Sequence, residues 1–374
     1  MGGSPCLRRA PGQRNIRKMV RFDIWLFNLF CVALILATTC GEAPPTPATA
    51  LTPGPTNANP GQGTVRFAVI GDFGSDNADE LRVANLVGNW NPDFVITTGD
   101  NNYPDGAAST IDETIGKYYS QFIGNYQGSY GPGSPTNRFW PSLGNHDWHT
   151  ISCTGGSCSG AHFDYFTLPN NERYYEVNLG LIHLFAIDSD SSEPDGWDEN
   201  SIQAGWLQDQ LAASNSCYNL VYFHHAPYSS GFHGSNSTMQ WPFSTWGADA
   251  VFSGHDHLYE RLDINGKPYF VNGAGGAVLY GFDNIGKLPP EAESVVRYNQ
   301  DHGAMLVTAS FTGITYQFYN SDNVLIDEYT VSKNCGDYTH AVFIPLATTT
   351  FLGGQRASGC QGAKANTGMG SHLP

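Results

Sequence analysis

The chain has 374 residues, 40% of them hydrophobic and only 14% charged, with a formal net charge of −16. Six of its basic side chains (Arg8, Arg9, Arg14, Arg17, Lys18, Arg21) precede residue 40 beside the single acid Asp23, leaving 12 basic and 33 acidic residues, a net −21, for everything that follows. That length accommodates one domain of roughly 250–300 residues with flanking segments, the acidic body excludes nucleic-acid binding through a basic surface, and no apolar run reaches the ~18 residues of a membrane span.

The basic residues end at Arg21, and an apolar stretch runs from Ile24 to Ala37. A charged segment followed by about 7–15 apolar residues predicts a secretory signal, and Met19-Val20-Arg21 opens a more compact version of it than Met1 does. Leu36-Ala37-Thr38-Thr39-Cys40 resembles a lipoprotein processing box, with Thr39 where a smaller residue is usual. Ala48-Thr49-Ala50 suits ordinary cleavage, so a lipid on Cys40 and free secretion both stay open. Residues 1–40 are thus a targeting segment, and 41–63 a Pro/Thr-rich linker. Export implies an oxidising compartment. Cys153 and Cys158, flanking Thr-Gly-Gly-Ser, are expected to form a loop disulfide, while the pairing among Cys217, Cys335 and Cys360 is open.

From Val65 strand and helix patterns alternate. Val65–Ile70 is an apolar strand ending in Gly71-Asp72, and Leu81, Val83, Ala84, Leu86 and Val87 recur at helical spacing within Ala78–Trp90. Short strands follow at Phe94–Thr97, ahead of Gly99-Asp100, and at Phe139–Leu143, ahead of Gly144-Asn145-His146-Asp147. Tyr174–Asn178 and Leu181–Asp188 predict a hairpin turning at Gly180, and Ser201–Ala213 a capped helix. Leu220–Phe223 leads into His224-His225, and Ala250–Phe252 into Gly254-His255. Lys267–Gly273, Ala304–Ala309, Gly313–Tyr319 and Val324–Val331 complete a domain over 64–335. The extension 336–374 adds a strand at Ala341–Leu346 at most.

Five short strands therefore end in Asp, Asn or His. Ligands of α/β sheets bind beyond the carboxyl ends of strands, so Asp72, Asp100, Asn145, His225 and His255 are expected to converge. These are donors for Zn, Fe and Mn. With Tyr103 and His257 the set is too large for one tetrahedral ion and suits two. His255 and His257, two apart, share one side of an extended chain. Asn145 and His146 point apart, one toward a metal and one toward a substrate.

In this order, Gly71-Asp72-Phe73-Gly74, Gly99-Asp100-Asn101-Asn102-Tyr103, Gly144-Asn145-His146-Asp147, His225-Ala226-Pro227 and Gly254-His255-Asp256-His257 resemble the five motifs of the purple acid phosphatases, which are calcineurin-like metallophosphoesterases. Trp206-Leu207, His257–Arg261 and Asn272–Gly276 extend the resemblance over about residues 65–330, to the small single-domain type. It implies an α/β fold, a four-layer α/β/β/α sandwich with mixed sheets. It implies that Asp72, Asp100, Tyr103 and His257 bind metal 1, which the tyrosinate marks as Fe(III). Asp100 as a bridge, Asn145, His225 and His255 would bind metal 2, as Fe(II), Zn(II) or Mn(II). The implied reaction is hydrolysis of a small-molecule phosphate monoester by a metal-bound hydroxide, with an acid optimum. His146 and His233 are the candidates to protonate the leaving group. Asp147 and Asp256 are expected to orient neighbouring groups, His224 to be a supporting strand histidine rather than a ligand, and Gly273–Gly276 to be a turn packed near the metal edge. A phosphodiesterase or nucleotide hydrolase using the same centre is the alternative, decided by the loops 104–138 and 148–172. A non-catalytic exported metal- or phosphate-binding protein is the third reading.

Overall fold

The computed structural model describes residues 63–336. The targeting segment, nearly all of the linker, Cys40, Cys360 and the expected strand Ala341–Leu346 lie outside the described residues. In chain order the strands are β1 (Thr64–Ile70), β2 (Phe94–Thr97), β3 (Phe139–Pro141), β4 (Ser152–Thr154), β5 (Ser157–Ser159), β6 (Tyr175–Leu179), β7 (Ile182–Ala186) and β8 (Tyr218–His225). They continue as β9 (Ala250–Gly254), β10 (Tyr259–Ile264), β11 (Lys267–Asn272), β12 (Ala292–Tyr298), β13 (Gly303–Ser310), β14 (Gly313–Asn320) and β15 (Leu325–Ser332).

Two mixed sheets result. One is ordered β15-β14-β13-β1-β2-β3, the other β12-β10-β11-β9-β8-β7-β6. They pack face to face through aromatic side chains: Phe270 and Phe252 lie 4.8 and 6.0 Å from Tyr316, and Tyr259 stacks on Phe318 at 4.1 Å. A Cys217–Cys335 disulfide joins the start of β8 to the end of β15, which resolves the open pairing, and Cys153–Cys158 closes the β4–β5 hairpin as expected.

Helices cover the outer faces. Asn77 caps Ala78–Trp90 by accepting from the Glu80 N–H, and the helix buries Val83, Ala84, Leu86 and Val87. Leu81, counted with the apolar face in the sequence, is 48% exposed. Ser201 caps Ile202–Ala213, whose Ala204, Leu207 and Leu211 pack with Phe185, Val221 and Phe223 of β7 and β8. Among the described residues no helix is long and apolar enough to cross a membrane.

β1, β2 and β3 run parallel, as do β7, β8, β9 and β11. The ends of β1 and β2 meet the second sheet directly: Asn272 Nδ2 donates to Val69 O at 2.9 Å, and Thr98 Oγ1 to Asn272 O at 3.3 Å. The strand-end motifs therefore share one edge.

Candidate metal centre

Three of the expected ligands stand where the chain turns sharply out of a strand. Asp72, Asp100 and His255 adopt left-handed backbone angles, with φ of 53°, 51° and 69°. Two neighbouring glycines are explained by close approach. A Cβ on Gly144 would lie 2.2 Å from the Asp100 backbone N, and one on Gly254 would lie 2.4 Å from Asp72 Oδ2. Asn145 and His146 leave β3 in a short helix, Asn145–Trp148, rather than in extended chain. His255 and His257 lie beyond β9, so the extended geometry expected for this pair is not what brings them together.

The side chains form two overlapping groups. In the first, the Tyr103 hydroxyl lies 3.0 Å from Asp100 Oδ2, 3.3 Å from Asp72 Oδ1 and 3.1 Å from His257 Nε2. His257 Nε2 is 3.4 Å from Asp72 Oδ1, and its Nδ1 is fixed by the Val278 carbonyl at 2.8 Å. In the second, His224 Nε2 lies 2.9 Å from Asn145 Oδ1, 3.1 Å from His255 Nδ1 and 3.4 Å from Asp100 Oδ2. Asp100 belongs to both groups.

The second group brings His224, which the sequence reading set aside as a supporting histidine, next to the expected donors, beside the expected ligand His225. His225 has its Nδ1 3.0 Å from the Ser189 hydroxyl and its ring 4.4 Å from that of His255, and one nitrogen from each of His224, His225 and His255 lies within 4.8 Å of the other two. Strand parity favours His224 for the inner side, and the pairing of β8 with β9 shifts register between Tyr222 and His225. Leu220 and Tyr222 of β8 belong to the core shared by the two sheets, whereas Val221 and Phe223 pack under the helix Ile202–Ala213. His224 continues the inner row and His225 the outer one.

Burial sets the electrostatics. It lifts Asp72 to about 6 against the pull of His257, raises Asp100, and pushes the Tyr103 phenol well above its ordinary value, with the charges of Asp72 and Asp100 adding to the last. It drives His224 well below the imidazole range and lowers His255, both reinforced by neighbouring histidines. Burial also lowers His257, but the hydrogen bond and charge of Asp72 outweigh it and the net shift is upward. Among the described residues no lysine or arginine pairs with Asp72 or Asp100.

These groups fit metal ions. The Thr98 carbonyl, 2.9 Å from His224 Nδ1, can only accept, so Nδ1 carries the proton and Nε2 presents a lone pair. That lone pair faces the acceptor oxygens of Asn145 and Asp100, an opposition that a cation between them relieves. Donor separations of 2.9–3.4 Å match the edges of a coordination polyhedron with bonds of about 2.0–2.2 Å.

The surrounding residues hold the donors in place. Asp147 accepts from the backbone N–H groups of Gly144 and Asn101 and from Asn101 Nδ2. Asp256 accepts from Ser229 Oγ and the N–H groups of His233 and Gly234. Both orient neighbours, as expected. Gly275 N–H donates to Gly71 O and Ala277 N–H to Asp72 O, so 273–276 is a turn against this edge. His146 sits at the rim with Nδ1 2.5 Å from Pro104 O and its ring 4.5 Å from that of Tyr103. His233 is exposed, and its ring stacks on His255 at 4.1 Å.

The calcineurin-like phosphoesterase family matches residues 65–259. The chain is similar to Purple acid phosphatase 17 of Arabidopsis thaliana, with 26% identity over 72% of this chain and 85% of that protein. It is similar to Tartrate-resistant acid phosphatase type 5 of Mus musculus, with 26% identity over 57% of this chain and 72% of that one. Among solved structures it is similar in fold to GAP50, the anchor in the inner membrane complex of Plasmodium, at a TM-score of 0.55 and 18% identity, covering 73% and 90% of the two chains. The match spans more than half of the sequence and every strand-end motif from Asp72 to His257, and the chain belongs to the calcineurin-like phosphoesterase family.

Proposed function

We propose that this protein is an exported acid phosphatase with a two-metal centre that hydrolyses phosphate monoesters. The observation that carries the reading is the pair of donor groups sharing Asp100. Asp72, Asp100, Tyr103 and His257 would hold one ion, and Asp100, Asn145, His224 and His255 the other, with His224 in the place first given to His225. The buried Tyr103 phenol, held neutral by its surroundings, ionises only beside a strongly acidic cation, which favours Fe(III) at the first position and leaves Fe(II), Zn(II) or Mn(II) for the second. Bound there, the two ions supply Lewis acidity, an acidified water and positive charge for the phosphate, charge that an acidic chain does not itself provide.

The chain's own part is orientation and proton transfer. The Pro104 carbonyl accepts a hydrogen bond from His146 Nδ1–H, so Nε2 is the atom that would deliver a proton to the leaving oxygen. His233, anchored through its backbone by Asp256, stands on the opposite rim for the same task. Two disulfides support the exported setting, and the apolar segment before Cys40 supplies its route, as a free or lipid-anchored form. The test is metal analysis of the purified protein together with kcat/KM for an aryl phosphate monoester and the matching diester at mildly acid pH. Two ions per chain and a strong monoester preference are expected. A metal-replete protein that prefers the diester, or turns over neither ester, would overturn the reading.

A further inference from the structure

The centre is bordered on one side by a continuous aromatic rim. From His255 the chain of ring contacts runs to His233 at 4.1 Å, to Phe232 at 5.1 Å, to Tyr280 at 5.5 Å and back to His257 at 4.0 Å. The Tyr280 and His257 rings are nearly parallel, 12° apart. Phe232 is 57% exposed, and Val278, whose carbonyl holds His257 Nδ1, is 79% exposed.

The backbone that carries these rings is held by hydrogen bonds. Asn284 Nδ2 donates to the carbonyls of Gly231 and Phe232, at 2.5 and 3.0 Å. Asp256 holds the next residue, His233, at 2.7 Å. On the other arm Tyr280 N–H donates to His257 O at 2.9 Å, and Asn299 Nδ2 to Tyr280 O at 2.8 Å. A preorganised apolar surface loses little ordering entropy when it takes a flat group. Around His146 and His149, whose rings lie 5.2 Å apart, no exposed phenylalanine or tryptophan is found among the described residues.

We infer that Phe232 and Tyr280 form a subsite for a planar aromatic ring on the organic side of the phosphate ester. The inference rests on the phosphatase reading and names its substrate class: monoesters whose alcohol carries an aromatic ring, seated so that the leaving oxygen passes His233. Benzyl and ethyl phosphate separate this from leaving-group effects, because both release alcohols of similar acidity. The metal-loaded wild type is expected to favour benzyl phosphate in kcat/KM. Phe232→Ser should reduce that preference about five- to tenfold, through KM on the benzyl ester, with ethyl phosphate unchanged. Phe232→Trp should retain it. Equal losses on both esters, or an unchanged ratio, would overturn the subsite. Calorimetric affinities for benzylphosphonate and ethylphosphonate give the same ratio without turnover. If neither ester is hydrolysed but benzylphosphonate binds more tightly and depends on Phe232, the subsite stands and the phosphatase reading falls; if the two phosphonates bind alike, the subsite falls.

Discussion

Replacing His224 and His225 separately by alanine decides which of the two adjacent imidazoles holds a metal. His224 is fully buried, with Nε2 facing Asn145, His255 and Asp100 within 3.4 Å. Losing an outer residue that merely orients a ligand costs about 10–100-fold in metal affinity, so losing a donor should weaken the second ion by at least ~100-fold. The variant is expected to retain about one ion per chain after dialysis. It also leaves the buried Thr98 carbonyl without its imidazole donor, a loss of about 1–3 kcal/mol. In a body of this size that lowers the Tm of the metal-free form by a few degrees. His225→Ala removes a contact to Ser189 instead and should keep both ions. Mass spectrometry of bound metals and a thermal melt of the stripped protein read the two effects. Two ions in His224→Ala and one in His225→Ala would refute the parity argument.

His146→Ala should lower kcat about 10²–10⁴-fold with both metals still bound; loss of metal would remove its assigned role. Tyr103→Phe should abolish a visible charge-transfer band in the iron-loaded protein, and an unchanged spectrum would count against a tyrosinate ligand. Gly144→Ala should cost about 1–3 kcal/mol or more and disturb metal binding, because its Cβ would press on the Asp100 backbone; a fully metal-replete, equally stable variant would refute this. Glu80 is buried and held at about 9, against 4.5 when unfolded, chiefly by burial. The fold therefore keeps a proton that the unfolded chain loses, and this group's contribution is present at low pH and declines as pH rises between those values. Glu80→Gln, which keeps an acceptor for the Ser75 and Asp76 N–H groups, should stabilise the protein at pH 8 by roughly 2–4 kcal/mol and flatten melting temperature against pH from 5 to 9.

What was legible in the sequence was whatever local pattern dictates. Helical spacing marked Ala78–Trp90, Ser201 marked a helix start, and apolar runs ending in Gly-Asp or Gly-His marked the parallel strands. β10 and β12 were hidden because charges at Glu260, Arg261 and Asp263, and at Glu293 and Arg297, interrupt their apolar residues. In β10 the sheet buries Glu260 and satisfies it with Ser230 and Ser294, while β12 is an edge strand with an open face. The donors were legible as residue types, since few other uses gather Asp, Asn and His at strand ends. Their assignment was not. It depends on which row of β8 faces the sheet built on β1 and β2, a property of tertiary packing that neighbours in sequence do not report. The aromatic rim was invisible for the same reason, because Phe232 and Tyr280 are separated by 47 positions of chain.

The left-handed angles at Asp72, Asp100 and His255 narrow what these positions accept. Apart from glycine, the amino acids that enter this region most readily are Asn, Asp and His. They are also the oxygen and imidazole donors that a site for iron, zinc or manganese requires. Backbone sterics and coordination chemistry thus act as two filters that pass nearly the same alphabet. A substitution that abandons metal binding at these turns, to a branched or bulky apolar residue, also meets a conformational barrier, so the corner itself favours retention of a ligand. Glycine passes the backbone filter and fails the coordination one, so a glycine at Asp72 would preserve the turn while deleting the donor.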